Sequence, residues 1–169
     1  MAEVRTFGIK SIKMGDLEAD GGMGATLTIL GDGNTLEGSA TFTKDEDEEK
    51  KFNSEESDDP IEVILKKGGA TLEFAIADFT PSTLARVLGG EVNATTGEWE
   101  SPDQAPDIEQ SFEIITQRNV QLRLPRVKVK GRIEWPLSKE ELGRVVVKGV
   151  VMKPTKAGEK SYYTKKIVS

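Results

Sequence analysis

Apolar and polar residues alternate one for one along most of the chain, which is the period of a β-strand with one buried face. Thr26-Leu27-Thr28-Ile29 sets two apolar residues against two threonines, and Ala40 and Phe42 alternate with Ser39, Thr41 and Thr43. Ile61, Val63 and Leu65 share one face, opposite Glu62 and Lys66. Leu72, Phe74 and Ile76 repeat the pattern after Lys67-Gly68-Gly69, whose glycines suit a turn, so the spacing predicts a hairpin over 61–77. Phe112 and Ile114 begin a further strand.

The next stretch changes parity. Leu122 and Leu124 fall on even numbers before Pro125, whereas Val127, Val129 and Ile133 fall on odd numbers after it. One strand can keep a single buried face through such a change only with an extra residue, so a bulge or break is predicted at Pro125. Val145 to Val151 is apolar on both faces and reads as a central strand.

One helix interrupts the strands. Thr80-Pro81 supplies a capping hydroxyl and a proline at the first helical position, and Leu84, Val87 and Leu88 form an i, i+3, i+4 stripe. Gly89-Gly90 ends it, giving a short helix over about 81–89 that must pack on the sheet to persist. Ser138 to Glu141 has capping-box spacing but supports one turn at most before Gly143. Two segments read as long loops: the acidic stretch 44–59 and the Pro- and Gly-rich stretch 91–107, anchored by Trp99. No repeat or linker divides residues 1–169, so a single domain is expected, mainly β with one packed helix.

Composition narrows the chemistry. The 169 residues include no cysteine and no histidine. Disulfides, thiolate and imidazole metal sites, cysteine nucleophiles and Ser-His-Asp triads are therefore absent, and no enzymatic role, metal or cofactor is expected. No apolar run reaches the length of a membrane span, and Met1-Ala-Glu-Val-Arg has no signal-like character. The expected place is a cytoplasm or a particle assembled in one.

The net charge of −6 is unevenly spread. Residues 1–60 hold 15 acids and 6 bases, a net of −9, and residues 61–117 hold 10 and 3, a net of −7. Residues 118–169 hold 4 acids and 14 bases, a net of +10. Two readings stand level: strands of opposite charge compensate within one subunit, or one face of a subunit attracts the opposite face of the next.

Several motifs resemble chemistry. Asp16, Glu18, Asp20 and Gly21 match the opening of a calcium loop, but the twelfth position is Leu27 and no helices flank it, so a glycine-rich turn is the better reading. Gly31-x-Gly33 lacks a dinucleotide-binding context, and no carboxylate pair stands out as a glycosidase site. The run Asp45, Glu46, Asp47, Glu48, Glu49 is either a solvated face or a surface that meets a basic partner. Arg126, Lys128, Lys130 and Arg132 line one face of a strand. That face can be a charged outer surface, a protein contact or a track for phosphates, although no exposed aromatics interleave with it for base stacking. The acidic run and this basic face are the candidate assembly residues.

The order of these features resembles the tail tube (major tail) proteins of long-tailed bacteriophages, those of Bacteroidetes phages and prophages in particular. The likeness spans most of the chain. It rests on Gly21-Gly22-Met23-Gly24, the acidic loop ending Asp58-Asp59-Pro60, the hairpin 61–77 and the single helix ending Gly89-Gly90. The Trp99 loop, the Pro125 strand, the basic strand and the ending Met152-Lys-Pro-Thr-Lys-Ala157 complete it. The resemblance implies a β-sandwich or half-barrel with one packed helix, and hexameric rings that stack head to tail into a tube, with the acidic loop 44–59 in the place of the family's projecting loop. It implies further copies of the chain, tape measure and tail terminator proteins as partners, DNA only as passing cargo, no membrane, and residence in a virion. A stand-alone β-sandwich binding or accessory module and a tube subunit of a cellular contractile or secretion machine are the competing expectations.

Overall fold

The parity change at Pro125 lies inside one long strand. A computed structural model describes residues 3–167. In it β9 (Ile108–Ile115) runs antiparallel to β10 (Val120–Glu134). Leu124 faces Phe112 and Val127 faces Gln110, so one residue is gained between them and the expected bulge is present. The bulge lets both halves of β10 bury their apolar set, and Leu124, Val127 and Val129 are all in the core. The buried Ser111 hydroxyl donates to the Pro125 carbonyl at 2.7 Å and accepts the Gly24 N–H at 2.9 Å, so both of these backbone groups at the bulge have a partner.

The main sheet is antiparallel and eight-stranded, built outward from β10. On one side stand β9, then β1 (Ser11–Gly15), then the two-residue β2 (Thr28–Ile29). On the other side the second half of β10 pairs with β11 (Arg144–Val151), followed by β6 (Ala70–Ile76) and β3 (Thr41–Lys44). The first half of β10 pairs instead with β12 (Tyr163–Lys166). The predicted mainly β fold with one short helix is therefore the observed one. The Val145 to Val151 segment is the expected interior strand, although Val150 on its outer face is exposed.

Ile12, Met14, Leu72, Phe74, Ile76, Phe112, Ile114, Leu124, Val127, Val129, Val145 and Val147 gather into one core. Helix α1 (Pro81–Leu88) closes one end, placing Leu84 and Val87 in that core. It packs over Gly131, where a Cβ would stand 2.6 Å from a Val87 methyl carbon. The Thr80 hydroxyl does not cap the helix, contrary to the sequence reading. Asp78 instead braces the helix start: its carboxylate accepts the Thr80 N–H and hydroxyl at 3.0 and 2.6 Å and the Thr83 hydroxyl at 2.9 Å. Arg86 ties the helix to the far sheet edge through the carbonyls of Met14 and Ile29, at 2.8 and 3.2 Å.

Three further expectations need correction. Residues 61–77 do not form a hairpin: β5 (Pro60–Lys66) pairs with β4 (Glu48–Asn53), and β6 pairs with β3 and β11. The stretch 44–59 is consequently not a loop throughout, because β4 lies within it. The stretch 91–107 holds a small hairpin of β7 (Glu91–Val92) and β8 (Trp99–Glu100), whose turn is closed by the Asn93 side chain. Trp99 anchors it as expected, donating its indole N–H to the Gly89 carbonyl at 2.9 Å.

Candidate assembly interface

Strands β3 and β4 and strands β5 and β6 form one antiparallel ribbon. Thr41 faces Glu73, Lys44 faces Ala70, Glu48 faces Lys66 and Phe52 faces Glu62, all in the same register. The ribbon is interrupted at 45–47 and 67–69, where it leaves the main sheet. At that break the Asp45 N–H donates to the Gly69 carbonyl at 2.8 Å, and the Gly68 N–H donates to the Asp47 carboxylate at 2.9 Å. The Lys44 ammonium donates to the same carboxylate at 2.9 Å. A Cβ on Gly68 would fall on the carbonyl oxygens of Asp45 and Glu46, so only glycine fits there. The Gly68 N–H, then Lys44, hold the Asp47 carboxyl below its ordinary value, and Asp47 in turn raises that of Lys44.

Beyond the break the ribbon is a free-standing two-stranded arm. Every residue of β4 and β5 is exposed, although β5 is the most apolar strand outside the core. Ile61 is 68 % exposed, Leu65 60 %, Ile64 53 %, Val63 42 % and Phe52 39 %. The alternation of Ile61, Val63 and Leu65 is thus real, but the burial that alternation predicts is missing. An isolated two-stranded ribbon is at best marginally stable in water, and burying one such side chain stabilises by about 1.5–3 kcal/mol. This arm has the composition of a strand that expects a cover. Apolar residues on both faces and acids at the tip distinguish it from a solvated loop. Residues 54–62 contain five acids and no base.

The acidic run lies at the base of this arm. Asp45, Glu46 and Asp47 occupy the break, Asp47 as its fastening, while Glu48 and Glu49 begin β4 and point into solvent. Glu49 lies 3.8 Å from Lys51. The basic residues sit elsewhere, on the face of β10 opposite the buried Val127 and Val129, and most are compensated within the subunit. Arg126 makes a two-pronged contact with Glu109 at 3.0 and 3.1 Å. Lys128 lies 2.6 Å from Asp107, and Arg132 lies 3.1 Å from Glu134. Glu109 is held below its ordinary value chiefly by the Arg126 hydrogen bond. Lys130 has no ion pair among the described residues and faces Lys148 across the ladder. Of the two readings of the charge asymmetry, these contacts favour compensation within one subunit for this face. Among the described residues no ion pair joins the acidic run to the basic strand.

Other surface features complete the inventory. The tip between β10 and β11 exposes Trp135, Leu137 and Leu142, with Trp135 stacked on Phe79 at 4.9 Å. It lies at the opposite end of β6 from the arm's base, because Ile76 faces Val145 at one end and Lys44 faces Ala70 at the other. The calcium-like acids are spent separately: Asp16 accepts from Gln110, Glu18 from the Ala25 N–H, and Asp20 from the Gly22 N–H. Among the described residues no cluster of acids has the arrangement of a metal site, and no helix is long and apolar enough to cross a membrane.

No family model matches the chain, and no curated protein is significantly similar to it.

Proposed function

We propose that this chain is a structural subunit that associates with copies of itself, as the ring-and-tube protein that its sequence layout resembles. In that role it forms stacked hexameric rings in a phage tail tube through which DNA passes. Tape measure and tail terminator proteins are its other partners and the virion its place of residence. The carrying observation is the arm of β4 and β5: a projecting apolar ribbon that finds nothing to pack against within its own subunit. Exposed apolar patches of this kind mark interaction surfaces. A projecting element received at a different surface of the next copy makes a heterologous contact, which propagates into rings or filaments rather than closing as a dimer. The role is structural and requires no catalysis.

Negative-stain electron microscopy of the purified protein across a concentration series tests this reading. Rings or hollow tubes that appear as the concentration rises are expected. Dispersed monomers at every concentration would favour a stand-alone binding module that offers the arm to a different protein.

A further inference from the structure

Strand β12 stands in line with β11 along β10: Val127 faces Val151, and four residues earlier Arg123 faces Tyr163. Strand β5 stands in line with β6, the neighbour of β11. A continuous sheet would therefore bring β5 alongside β12. It does not: among the described residues β12 pairs only with β10, and β5 only with β4. The fastening of Asp47, Gly68 and Lys44 turns the arm out of the sheet just before the two strands would meet. The sheet is split there, and each side of the split keeps an unpaired edge.

The β12 side of the split has the features of a receptor for an extended strand. The Ile167 N–H donates to the Asn119 carbonyl at 2.8 Å, so by the two-residue period of the ladder Tyr163 and Lys165 turn toward β10. Thr164 and Lys166 turn their N–H and C=O groups outward. Behind this edge opens an apolar groove of about 340 Å³, lined by Ile9, Ile12, Phe42, Leu72, Leu122 and Tyr162, with Thr164 at its rim. The charges are complementary. Residues 160–167 carry three lysines and no acid, against the five acids and no base of the arm's 54–62. The apolar tip at Trp135, Leu137 and Leu142 lacks this match, because Arg132, Lys139 and Arg144 there are balanced by Glu134, Glu140 and Glu141.

We infer that the β12 edge and the groove behind it receive the β5 strand of a second copy of this chain. The incoming strand adds to the sheet by main-chain hydrogen bonds at Thr164 and Lys166, lays alternate apolar side chains into the groove and sets its acids against Lys160, Lys165 and Lys166. A second copy is the occupant because the fastening holds a subunit's own arm away from its own β12. This acceptor site rests on the self-assembly reading above and says where that assembly is made.

The absence of native cysteine makes cross-linking a clean test. One protein carries Val63→Cys, Ile64→Cys or Leu65→Cys on the arm, and another, of different tagged mass, carries Thr164→Cys. The two are mixed, concentrated and oxidised, and the sedimented material is resolved by mass. An arm-to-β12 disulfide between chains of different mass is expected for at least one of the three arm positions. Assemblies that form without it, or a disulfide found only within one chain when both cysteines share it, would overturn the acceptor site and leave self-assembly standing. No assembly by cysteine-free protein would overturn both. Independently, Thr164→Pro removes an outward N–H but none of the bonds to β10, as an edge strand tolerates. It is expected to leave the melting temperature nearly unchanged and to raise the concentration needed for assembly at least about tenfold, equivalent to about 1.4 kcal/mol. A fully folded variant that assembles at the wild-type concentration would contradict the site.

Discussion

The Asp47 carboxylate accepts the Gly68 N–H at 2.9 Å, across the point where the ribbon leaves the sheet. One contact across the two sides of the break thereby fastens the base of an arm of about twenty residues. Gly68→Ala cannot fit, because its Cβ would meet two backbone carbonyls, so the break must rearrange. The variant is expected to keep the melting temperature of the main sheet and lose assembly. Calorimetry and sedimentation measure the two effects separately.

The same contact gives a pH dependence. The folded-state pKa of Asp47 lies below the ordinary aspartate value of 3.8. Its contribution is therefore present above that value and lost as the pH falls through the lower folded value. Protection of the amides at residues 48–66, measured as exchange relative to an unprotected amide at the same pH, is expected to fall on acidification through this window. Asp47→Asn, which cannot titrate, is expected to lack that contribution. Identical pH profiles for the two proteins would remove Asp47 from the fastening.

The arm's apolar residues have no packing to lose in the isolated subunit. Ile61→Ser, Val63→Thr and Leu65→Ser combined are expected to leave urea stability within about 0.5 kcal/mol of wild type, the usual range for surface changes. Burial of these side chains between subunits predicts that the triple variant stays monomeric where wild type associates. Analytical ultracentrifugation reads the difference.

Helix α1 separates a sequence expectation from the structural one. Asp78→Ala is expected to cost about 1 kcal/mol, the usual net worth of a hydrogen bond, by freeing the Thr80 N–H and the Thr83 hydroxyl. Thr80→Val keeps the N–H bonded to Asp78 and is expected to cost less. Urea denaturation of both variants decides which residue holds the helix start.

Ser111 satisfies the bulge. Ser111→Ala leaves the Pro125 carbonyl and the Gly24 N–H without their partner in a buried place, with an expected loss of about 1–3 kcal/mol. An unchanged urea midpoint would show that the bulge does not depend on this hydroxyl.

Much of the sheet was legible because burial writes itself into alternation. Leu72, Phe74 and Ile76, Phe112 and Ile114, and the parity change across Pro125 all correspond to what was built. The arm was not legible for the same reason. Ile61, Val63 and Leu65 alternate like core residues, and alternation reports that a strand will have a cover without saying whose. Gly68-Gly69 reads as a hairpin turn, whereas these glycines carry the chain across a break in a longer ribbon. The basic strand is visible in the sequence, and its compensation within the subunit is one of two level readings there; the partners are not, since Glu109 and Asp107 reach Arg126 and Lys128 only once β9 lies beside β10. The role of Asp78 is hidden because it stands two residues before the threonine that resembles a cap.

The most direct measurement compares wild type with a variant in which residues 48–66 are replaced by a short turn joining Asp47 to Lys67. Both are followed by sedimentation velocity and electron microscopy over the same concentration range. If the arm makes the assembly, wild type forms rings or tubes as concentration rises, and the shortened protein stays folded and monomeric throughout. Wild type that remains monomeric, or a shortened protein that builds the same tubes, would contradict it.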